Sequence, residues 1–418
     1  MLCFSVLFLL CQLAFLLHLM LRLFVFEIMS TLRCLFRASM EQPVSIYIHV
    51  PFCRSKCAYC DFYSIANQDF IVDYVDLIGH EIRQRRDYLP QGDVCSVYVG
   101  GGTPSLLPPE QLQRLLCAVR SEFNLQSDAE LTIEANPDDL QPALLGAYRR
   151  MGFNRLSIGV QSMDDGELAA LGRRHTAQRA VQAVRQAQQA GFGNISIDLI
   201  YGLTNSTIDT WRRTLEKALS LDVQHVSCYH LTVEERTRLH QQVQRGAVHV
   251  VDEELSVQQF NLLRQLTNQA GFEHYEVSNF ALPGMESRHN SGYWLGRPYL
   301  GLGPAAHSYN GATRQWNARS LRLWADGLRQ QHPAVEQELL TPIDAYNELL
   351  LTRLRTKWGV SLSDVERDFG VTMSRLLLQQ AAPHLRSGAL MLFDNDVLLI
   401  PPERYFVSDS LLVELFAD

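Results

Sequence analysis

The sequence predicts an α/β protein in which six parallel strands and their helices form an incomplete barrel, followed by a small C-terminal domain. Short β-branched and aromatic runs alternate with longer segments whose apolar residues recur at helical spacing. The strand runs are nearly continuously apolar, as in parallel sheets that are covered by helices. No seventh or eighth unit stands out, so the barrel is expected to stay open on one side. In such folds ligands bind at the carboxyl ends of the strands.

The predicted elements follow one another regularly along the chain. The six strand segments are SIYIHV (45–50), CSVYVG (95–100), AELTIEAN (129–136), NRLSIGV (154–160), NISIDLIYG (194–202) and HVSCYHLT (225–232). Residues 70–89 and 109–123 are two of the helical segments between them. The residues that come directly after each strand are therefore the ones expected to carry the function.

The pattern changes from about residue 341. Residues 341–355 and 361–370 are predicted as helices, and residues 389–401 as a β-hairpin that turns at Asp394, Asn395 and Asp396. Helices followed by a hairpin favour a winged-helix-like domain. We therefore divide the chain into an N-terminal extension (1–39), the barrel (40–280), a connecting region (281–340) and the C-terminal domain (341–418).

Composition and charge exclude some functions. The chain has 418 residues, with 37 Lys and Arg against 45 Asp and Glu and a formal net charge of −8, so no broad basic surface for a phosphate backbone is expected. Nucleic acid is therefore not a predicted partner. Nine cysteines in a chain of this length are not a secreted disulfide framework. A reduced, cytoplasmic setting is expected.

The N-terminus has two interpretations. Residues 2–21 carry no formal charge, and about 20 apolar residues suffice to span a bilayer. As a membrane anchor, this segment would keep the body in the cytosol, because Arg22, Arg33 and Arg37 follow it. Alternatively, translation begins at Met40 and residues 1–39 are an upstream extension.

Three cysteines lie in the loop after the first strand. Cys53, Cys57 and Cys60 are spaced Cys-x3-Cys-x2-Cys, and thiolates at this density bind iron–sulfur clusters or zinc. For zinc, His49 or a distant cysteine would have to be the fourth ligand. A [4Fe–4S] cluster held by three thiolates instead leaves one iron free for a small molecule. Cys95, Cys117 and Cys228 are predicted to be core residues.

The stretch SIYIHVPFCRSKCAYCDFYS (45–64) resembles the radical S-adenosylmethionine (SAM) superfamily, in the branch that contains oxygen-independent coproporphyrinogen III oxidase. The resemblance extends from residue 45 to the C-terminus and implies a partial (β/α)6 radical SAM barrel. It also implies that Cys53, Cys57 and Cys60 hold a [4Fe–4S] cluster. In that superfamily the amino and carboxylate groups of SAM bind the open iron, and an electron from the cluster can cleave the cofactor.

The resemblance also implies a pocket for the cofactor. GGGTP (100–104) follows the second strand, where adjacent glycines allow a close approach of the backbone to a ligand. Polar residues stand at or near the ends of later strands, and each could alternatively make an ordinary hydrogen bond at the barrel rim. The implied SAM-binding residues are Tyr47, Tyr59, Gly101, Gly102, Thr103, Glu134, Gln161, Arg173 and Asp198. Arg173 could form a forked pair with the methionine carboxylate.

Two features separate a heme carrier from an oxidase within this branch. The oxidases have a further cysteine two residues after the third ligand, and Phe62 stands there. HNSGYW (289–294) matches the HNxxYW motif of the HemW-type heme chaperones, which makes His289 a candidate heme ligand, with His307 a weaker one. Alternatively, His289 and Trp294 only structure this loop.

Three functions remain distinguishable. The first is a heme chaperone that binds heme and transfers it to an acceptor protein. It would keep the cluster and SAM for gating or reduction, and an electron donor would be a further partner. The second is a radical enzyme that decarboxylates two propionates of coproporphyrinogen III to vinyl groups in porphyrin biosynthesis. The third is a zinc-stabilised interaction module. Phe62 and HNSGYW favour the carrier over the oxidase.

Overall fold

The computed structural model describes residues 42–417, which contain one large sheet and a small C-terminal one. Six parallel strands follow one another in both sequence and space. They are β1 (Val44–Val50), β2 (Val94–Gly101), β3 (Leu125–Ala135), β4 (Arg155–Gln161), β5 (Ile195–Tyr201) and β6 (His225–His230). These are the six strands predicted from the sequence, and the order of the strands leaves the barrel open.

Six further strands extend the sheet beyond this parallel core. Their order in the whole sheet is β12-β11-β10-β9-β1-β2-β3-β4-β5-β6-β8-β7. They are β7 (Glu273–Glu276), β8 (Asn279–Ala281), β9 (Tyr299–Leu302), β10 (His307–Tyr309), β11 (Thr313–Asn317) and β12 (Val335–Leu339). β9 pairs in parallel with β1, while β10, β11 and β12 add antiparallel strands. We call β9–β12 the extension; the sequence analysis did not predict it.

Helices alternate with the parallel strands and cover the outer face of the sheet, whereas the helix Arg288–Trp294 packs against Ser96 and Tyr98 on the inner face. The helices before the C-terminal domain are α1 (Ile71–Arg85), α2 (Pro109–Glu122), α3 (Pro142–Met151), α4 (Asp165–Leu171), α5 (Ala177–Gln189), α6 (Ile208–Leu219), α7 (Arg238–Gln244), α8 (Glu253–Gln269), α9 (Arg288–Trp294) and α10 (Leu321–Arg329). Side-chain caps begin several of them: Thr176 caps α5, Thr207 caps α6 and Asp252 caps α8.

The apolar stripe of α2 corrects one prediction. Leu112, Leu115, Leu116 and Val119 are buried against the core at helical spacing. Cys117 lies outside that stripe and is exposed, so the prediction that it is a core residue was wrong. Cys95 and Cys228 are buried as predicted, because both lie on strands inside the sheet.

The strands are less uniformly apolar than the sequence suggested. In β1, Ile46, Ile48 and Val50 are fully buried against the helix layer, while Tyr47 and His49 alternate with them and line a cavity on the other face. The same alternation places Ser157 of β4 and Asp198 of β5 in that cavity. The inner face is polar because this open barrel encloses a cavity instead of a packed interior.

The C-terminal domain has the predicted helices and hairpin. Its helices are α11 (Pro342–Arg353), α12 (Leu362–Phe369), α13 (Val371–Ser387) and α14 (Ser408–Val413), and its antiparallel sheet has the order β13 (Val360–Ser361), β15 (Val397–Leu399), β14 (Met391–Phe393). The domain contacts the barrel through Lys357, whose N–H donates to Tyr275 O over 2.9 Å. The fold class is confirmed; the exact division of the chain stays a prediction.

The predicted apolar anchor at residues 2–21 lies outside the described residues. Within residues 42–417, no helix combines the length and the apolar character needed to cross a membrane.

Candidate functional site

The three cysteines lie on the loop between β1 and α1, at the carboxyl end of the parallel strands. Backbone hydrogen bonds anchor this loop: Cys53 N–H donates to Ile65 O (2.9 Å), and Ala58 N–H to Leu171 O (3.1 Å). Cys53, Cys57 and Cys60 are free thiols and partly buried. The first strand therefore delivers all three thiols to one end of the barrel.

Side chains from other strand ends reach two of these thiols. Thr103, after β2, has its Oγ1 3.5 Å from Cys53 Sγ. Arg173, after α4, has its Nη1 3.5 Å from Cys57 Sγ, and its Nη2 donates to Gly159 O over 2.7 Å. A guanidinium beside a thiol stabilises the thiolate, which is the form that binds metal. The loop thus has a cation beside Cys57 and a hydroxyl beside Cys53, while burial raises the pKa of the Cys60 thiol.

The donor set fits an iron–sulfur cluster better than a single ion. Within the described residues, no three His, Cys, Asp or Glu side chains are grouped closely enough to hold one metal ion. A four-iron cube accepts each thiolate on a different iron, so its ligands need not converge on one point.

The glycine turn after β2 allows the backbone to approach the cysteine loop. A Cβ on Gly102 would lie 3.1 Å from Cys53 Sγ and 2.7 Å from Phe52 O, so a larger residue there would disturb the thiol. Gly101 has φ +109°, a conformation that favours glycine, and its N–H donates to Glu134 Oε2 over 3.0 Å. The turn thus joins the cysteine loop to the third strand.

Two partly buried carboxyl groups face the same cavity. Glu134 accepts hydrogen bonds from Tyr98 OH (2.8 Å) and from Gly101 N–H, and burial raises its pKa to about 7. Asp198 accepts from Ser157 Oγ (3.2 Å), and burial raises its pKa to about 6. Both groups therefore titrate near neutral pH, and a cationic ligand would favour their ionised forms.

Gln161 adopts an unusual backbone conformation at the end of β4. Its φ is +72°, in the left-handed region that side chains other than glycine rarely occupy. The pairing of β4 with β5 shifts register between Gly159 and Gln161, which turns the chain at this point. Local backbone strain of this kind is concentrated at ligand sites.

The aromatic positions also lie in the cavity. Tyr47 OH is 3.0 Å from His49 Nδ1, and His49 Nε2 is 2.9 Å from Tyr63 O, so the cysteine loop is tied to β1. Burial, the largest effect, raises the pKa of Tyr59 beside the cysteines. Both tyrosines therefore stay neutral and can offer a hydroxyl to a ligand.

A single cavity of about 3090 Å³ runs from the cysteines over the inner face of the sheet to the extension and α11. It is lined by twelve of the thirteen predicted site residues: Tyr47, Cys53, Cys57, Tyr59, Cys60, Gly101, Gly102, Thr103, Glu134, Gln161, Arg173 and Asp198. His289 is the thirteenth, and it is not among the lining residues.

His289 lies under the cavity, with both ring nitrogens engaged. It is 1% exposed; Nδ1 is 2.9 Å from Ser96 Oγ and Nε2 is 2.8 Å from Tyr293 OH. Its ring stacks on Tyr98 at 5.0 Å, and burial lowers its pKa to about 3. In this arrangement neither nitrogen is free for iron, so its role as a heme ligand stays a prediction that requires α9 to rearrange.

Sequence reasoning missed two residues that organise the site. Glu130, buried in β3, accepts from the N–H groups of Arg288 (3.0 Å) and His289 (3.1 Å) and thereby holds the start of α9. Asn136 accepts from Arg173 Nη2 and donates to Thr103 Oγ1 over 3.3 Å. A charged residue inside a strand and a polar residue directly after it were the available signals.

Comparisons with known proteins identify the superfamily. A model of the radical SAM superfamily matches residues 47–218, and a model of the HemN C-terminal domain matches residues 340–405. The chain superposes on a solved structure titled "Coproporphyrinogen III oxidase (HemN) from Escherichia coli is a Radical SAM enzyme", with a TM-score of 0.79 and 22% identity over 90% of this chain and 91% of that one. At this identity the likeness shows the fold alone. The fold and the three-cysteine loop define a radical SAM protein.

Curated relatives place the chain more finely. It is 38% identical to the heme chaperone HemW of Mycobacterium tuberculosis over 77% of this chain and 84% of that protein. It is 34% identical to HemW of Bacillus subtilis (79% and 88% covered). It is also 36% identical to the mitochondrial radical S-adenosyl methionine domain-containing protein 1 of Bos taurus (90% and 88% covered). The chain belongs to the HemW family of heme chaperones within the radical SAM superfamily.

Proposed function

We propose that Cys53, Cys57 and Cys60 hold a [4Fe–4S] cluster and that SAM binds its open iron. The arrangement of three free thiols at one end of the barrel, with Arg173 beside Cys57 and Thr103 beside Cys53, supports this assignment. The bound cluster would supply one-electron chemistry. The chain's own contribution is to hold the three thiols at one end of the barrel and to position the cofactor beside them.

The polar residues of the cavity divide the binding of SAM among them. The backbone of Gly101 and Gly102 gives close access beside the cysteine loop. Glu134 and Asp198 offer carboxyl oxygens for an ammonium group or ribose hydroxyls, and Gln161 can both donate and accept. The Nε of Arg173 is buried and has no hydrogen-bond partner within residues 42–417, so this guanidinium keeps a donor for a ligand carboxylate.

We further propose that the chain carries heme and hands it to an acceptor protein, without oxidising coproporphyrinogen III. The observation that carries this choice is Phe62, which is 66% exposed at the mouth of the cavity, where oxidases of this branch have a cysteine. An exposed phenyl ring cannot take over redox or ligand chemistry from a thiol. The identity to curated heme chaperones over most of the chain supports the same choice.

The proposal extends to partners and location. A heme carrier needs an acceptor protein, and a reducible cluster needs an electron donor. We propose a cytoplasmic setting, because Cys53, Cys57, Cys60, Cys95, Cys117 and Cys228 are all free thiols. Association with a membrane through residues 2–21 is a separate proposal.

The test uses the full chain with its cluster reconstituted under anaerobic conditions. The protein is incubated with coproporphyrinogen III, SAM and a reductant, and the porphyrin products are analysed by mass spectrometry. A parallel sample is titrated with heme and followed by absorbance. We expect heme binding and no decarboxylated product. Protoporphyrinogen formed over repeated turnovers, in step with 5′-deoxyadenosine, would make the chain an oxidase.

A matched control separates binding from turnover. Cys57→Ala should lack the cluster, so any decarboxylated product that it forms cannot come from radical chemistry at this site. Product from the wild type but not from this variant would support the oxidase, and product from neither would support the carrier.

A further inference from the structure

The cavity is larger than one cofactor requires. At about 3090 Å³ it exceeds several-fold the roughly 300–1,000 Å³ of a typical small-molecule site. The predicted SAM residues all lie on or after β1–β5 and the loops between them, yet the cavity continues along the extension to α11. None of the predicted SAM residues lies in this second part of the cavity.

His307 is in this second part, on the first antiparallel strand of the extension. It pairs across the strands with Trp316 of β11, and the two rings stack at 6.1 Å with an angle of 26°. Trp316 Nε1 donates to Glu336 Oε2 of β12 over 3.1 Å. The indole is thus fixed from one side and supports the imidazole from the other.

The backbone before His307 is tightly constrained. A Cβ on Gly301 would lie 1.9 Å from His307 O, so only glycine permits this crossing of β9 and β10. Gly303 (φ +95°) and Ala305 (φ +63°) both adopt left-handed conformations in the turn between the strands. Because β9 pairs with β1, His307 is carried on the same rigid sheet as the cysteine loop.

Among the described histidines that line the cavity, His307 differs in its hydrogen bonding. Both nitrogens of His49 are engaged, His175 Nε2 is 3.0 Å from Val160 O, and His230 Nε2 is 3.0 Å from Ser256 Oγ. His307 is exposed to the cavity, and no described residue hydrogen-bonds to its ring. Partial burial and the charge of Arg314 lower its pKa, which favours the neutral imidazole that binds metals.

The surroundings suit a planar ligand with apolar faces and acidic edges. Leu339 is 74% exposed and, with Phe62, presents apolar surface to the same cavity. Arg297 also lines it, and its guanidinium makes no ion pair with any residue from 42 to 417. A porphyrin that carries carboxylates could pack on Leu339 and pair with Arg297.

We infer that heme binds along the extension, with His307 as a ligand of its iron and Arg297 beside a propionate. This inference rests on the proposed function, because it assumes that the chain carries heme. It places the heme beside the cysteine loop without competing for the thiols. It also gives His289 a structural role beneath the site.

The test titrates heme into the full chain and into His307→Ala, with His332→Ala as the matched control. His332 is exposed in the turn between α10 and β12 and does not line the cavity. We expect His307→Ala to weaken heme binding by about tenfold or more, since even an outer-shell partner of a metal ligand is worth about 10–100-fold. The absorption and paramagnetic resonance spectra of the ferric heme should also lose their imidazole signature.

Rescue by free imidazole tests ligation itself. In His307→Gly, added imidazole should restore the wild-type heme spectrum, which a merely structural role of the side chain would not produce. Unchanged affinity and spectrum in His307→Ala would overturn the assignment of His307 while leaving the heme carrier intact. Absence of heme binding by the wild type would overturn the proposed function and this inference together.

Discussion

The parallel half of the sheet and its antiparallel extension use one continuous inner surface in different ways. In the parallel half, loops after successive strands converge, so ionisable groups such as Arg173, Glu134 and Asp198 lie partly buried near the cysteine loop. In the extension, side chains stand side by side on one face of the strands. His307 and Trp316 stack there and form a flatter and more exposed face. Convergent loops suit a compact polar cofactor, whereas a flat strand face suits a planar ligand.

The largest expected effect comes from Cys57→Ala, which changes the parallel half of the sheet and leaves the extension as it is. We expect this variant to lose its cluster after anaerobic reconstitution, because two thiolates cannot hold a four-iron cube. Iron analysis and visible absorbance measure the loss, and Cys117→Ala, an exposed cysteine on α2, is the control. Iron content equal to that of the wild type would remove Cys57 from the ligand set.

The next effect concerns His289, which lies beneath both regions. His289→Ala removes a buried ring and leaves Ser96 Oγ and Tyr293 OH without this partner. We expect the free energy of unfolding to fall by about 3 kcal/mol. Urea unfolding measures the change, with His332→Ala expected within about 0.5 kcal/mol of the wild type. If the variant keeps its stability but loses heme binding, His289 would be favoured over His307 as the ligand of the heme iron.

A third effect tests the opposite edge of the sheet. Glu276 of β7 is 1% exposed, its Oε1 has no hydrogen-bond partner within the described chain, and burial raises its pKa to about 7. The unfolded chain, with an ordinary carboxyl pKa, loses this proton at lower pH than the folded one. This group therefore lowers stability as pH rises from about 4.5 to 7, by up to about 3 kcal/mol.

Glu276→Gln should remove that dependence. We expect the variant to be more stable than the wild type at pH 8 and to approach it at pH 5, as measured by urea unfolding at both values. Equal stability of the two proteins at pH 8 would show that the carboxylate is well solvated or paired in solution.

The smallest effect concerns the proposed SAM pocket of the parallel half. Arg173→Lys keeps the charge but loses the fork that contacts Gly159 O and Cys57, so the affinity for SAM should fall by about tenfold. Calorimetry on cluster-loaded protein measures this change. Arg174→Ala, which removes an exposed ion pair with Asp138, should leave the affinity nearly unchanged. Unaltered affinity in Arg173→Lys would refute a forked contact with the cofactor.

The two regions were also unequally predictable. The strands β1–β6 and the residues after them follow from local patterns, since each strand carries its own polar residue to the shared edge. The extension depends on the pairing of β9 with β1, which are far apart in the chain, and no local pattern reports that pairing. His307 could be suspected from sequence, but its free ring and its Trp316 support became visible only with the register of β10 and β11.

The HNSGYW segment shows the limit of motif reasoning. Its match indicated a heme chaperone, and the comparisons confirm that family. The motif did not reveal that Glu130 holds the start of α9 or that both nitrogens of His289 are engaged. A motif identifies the family, whereas burial and contacts decide which atoms are available to a ligand.

The most direct test of the account is a heme titration of protein that already carries its cluster and SAM. Bound heme is counted by absorbance, and cluster iron is counted separately after the heme is extracted. If the two regions are separate sites, about one heme will bind per chain. The cluster, with about four irons, and the bound SAM will both remain. If heme binds only to cluster-free protein, or displaces SAM, the two regions form one site and the account is wrong.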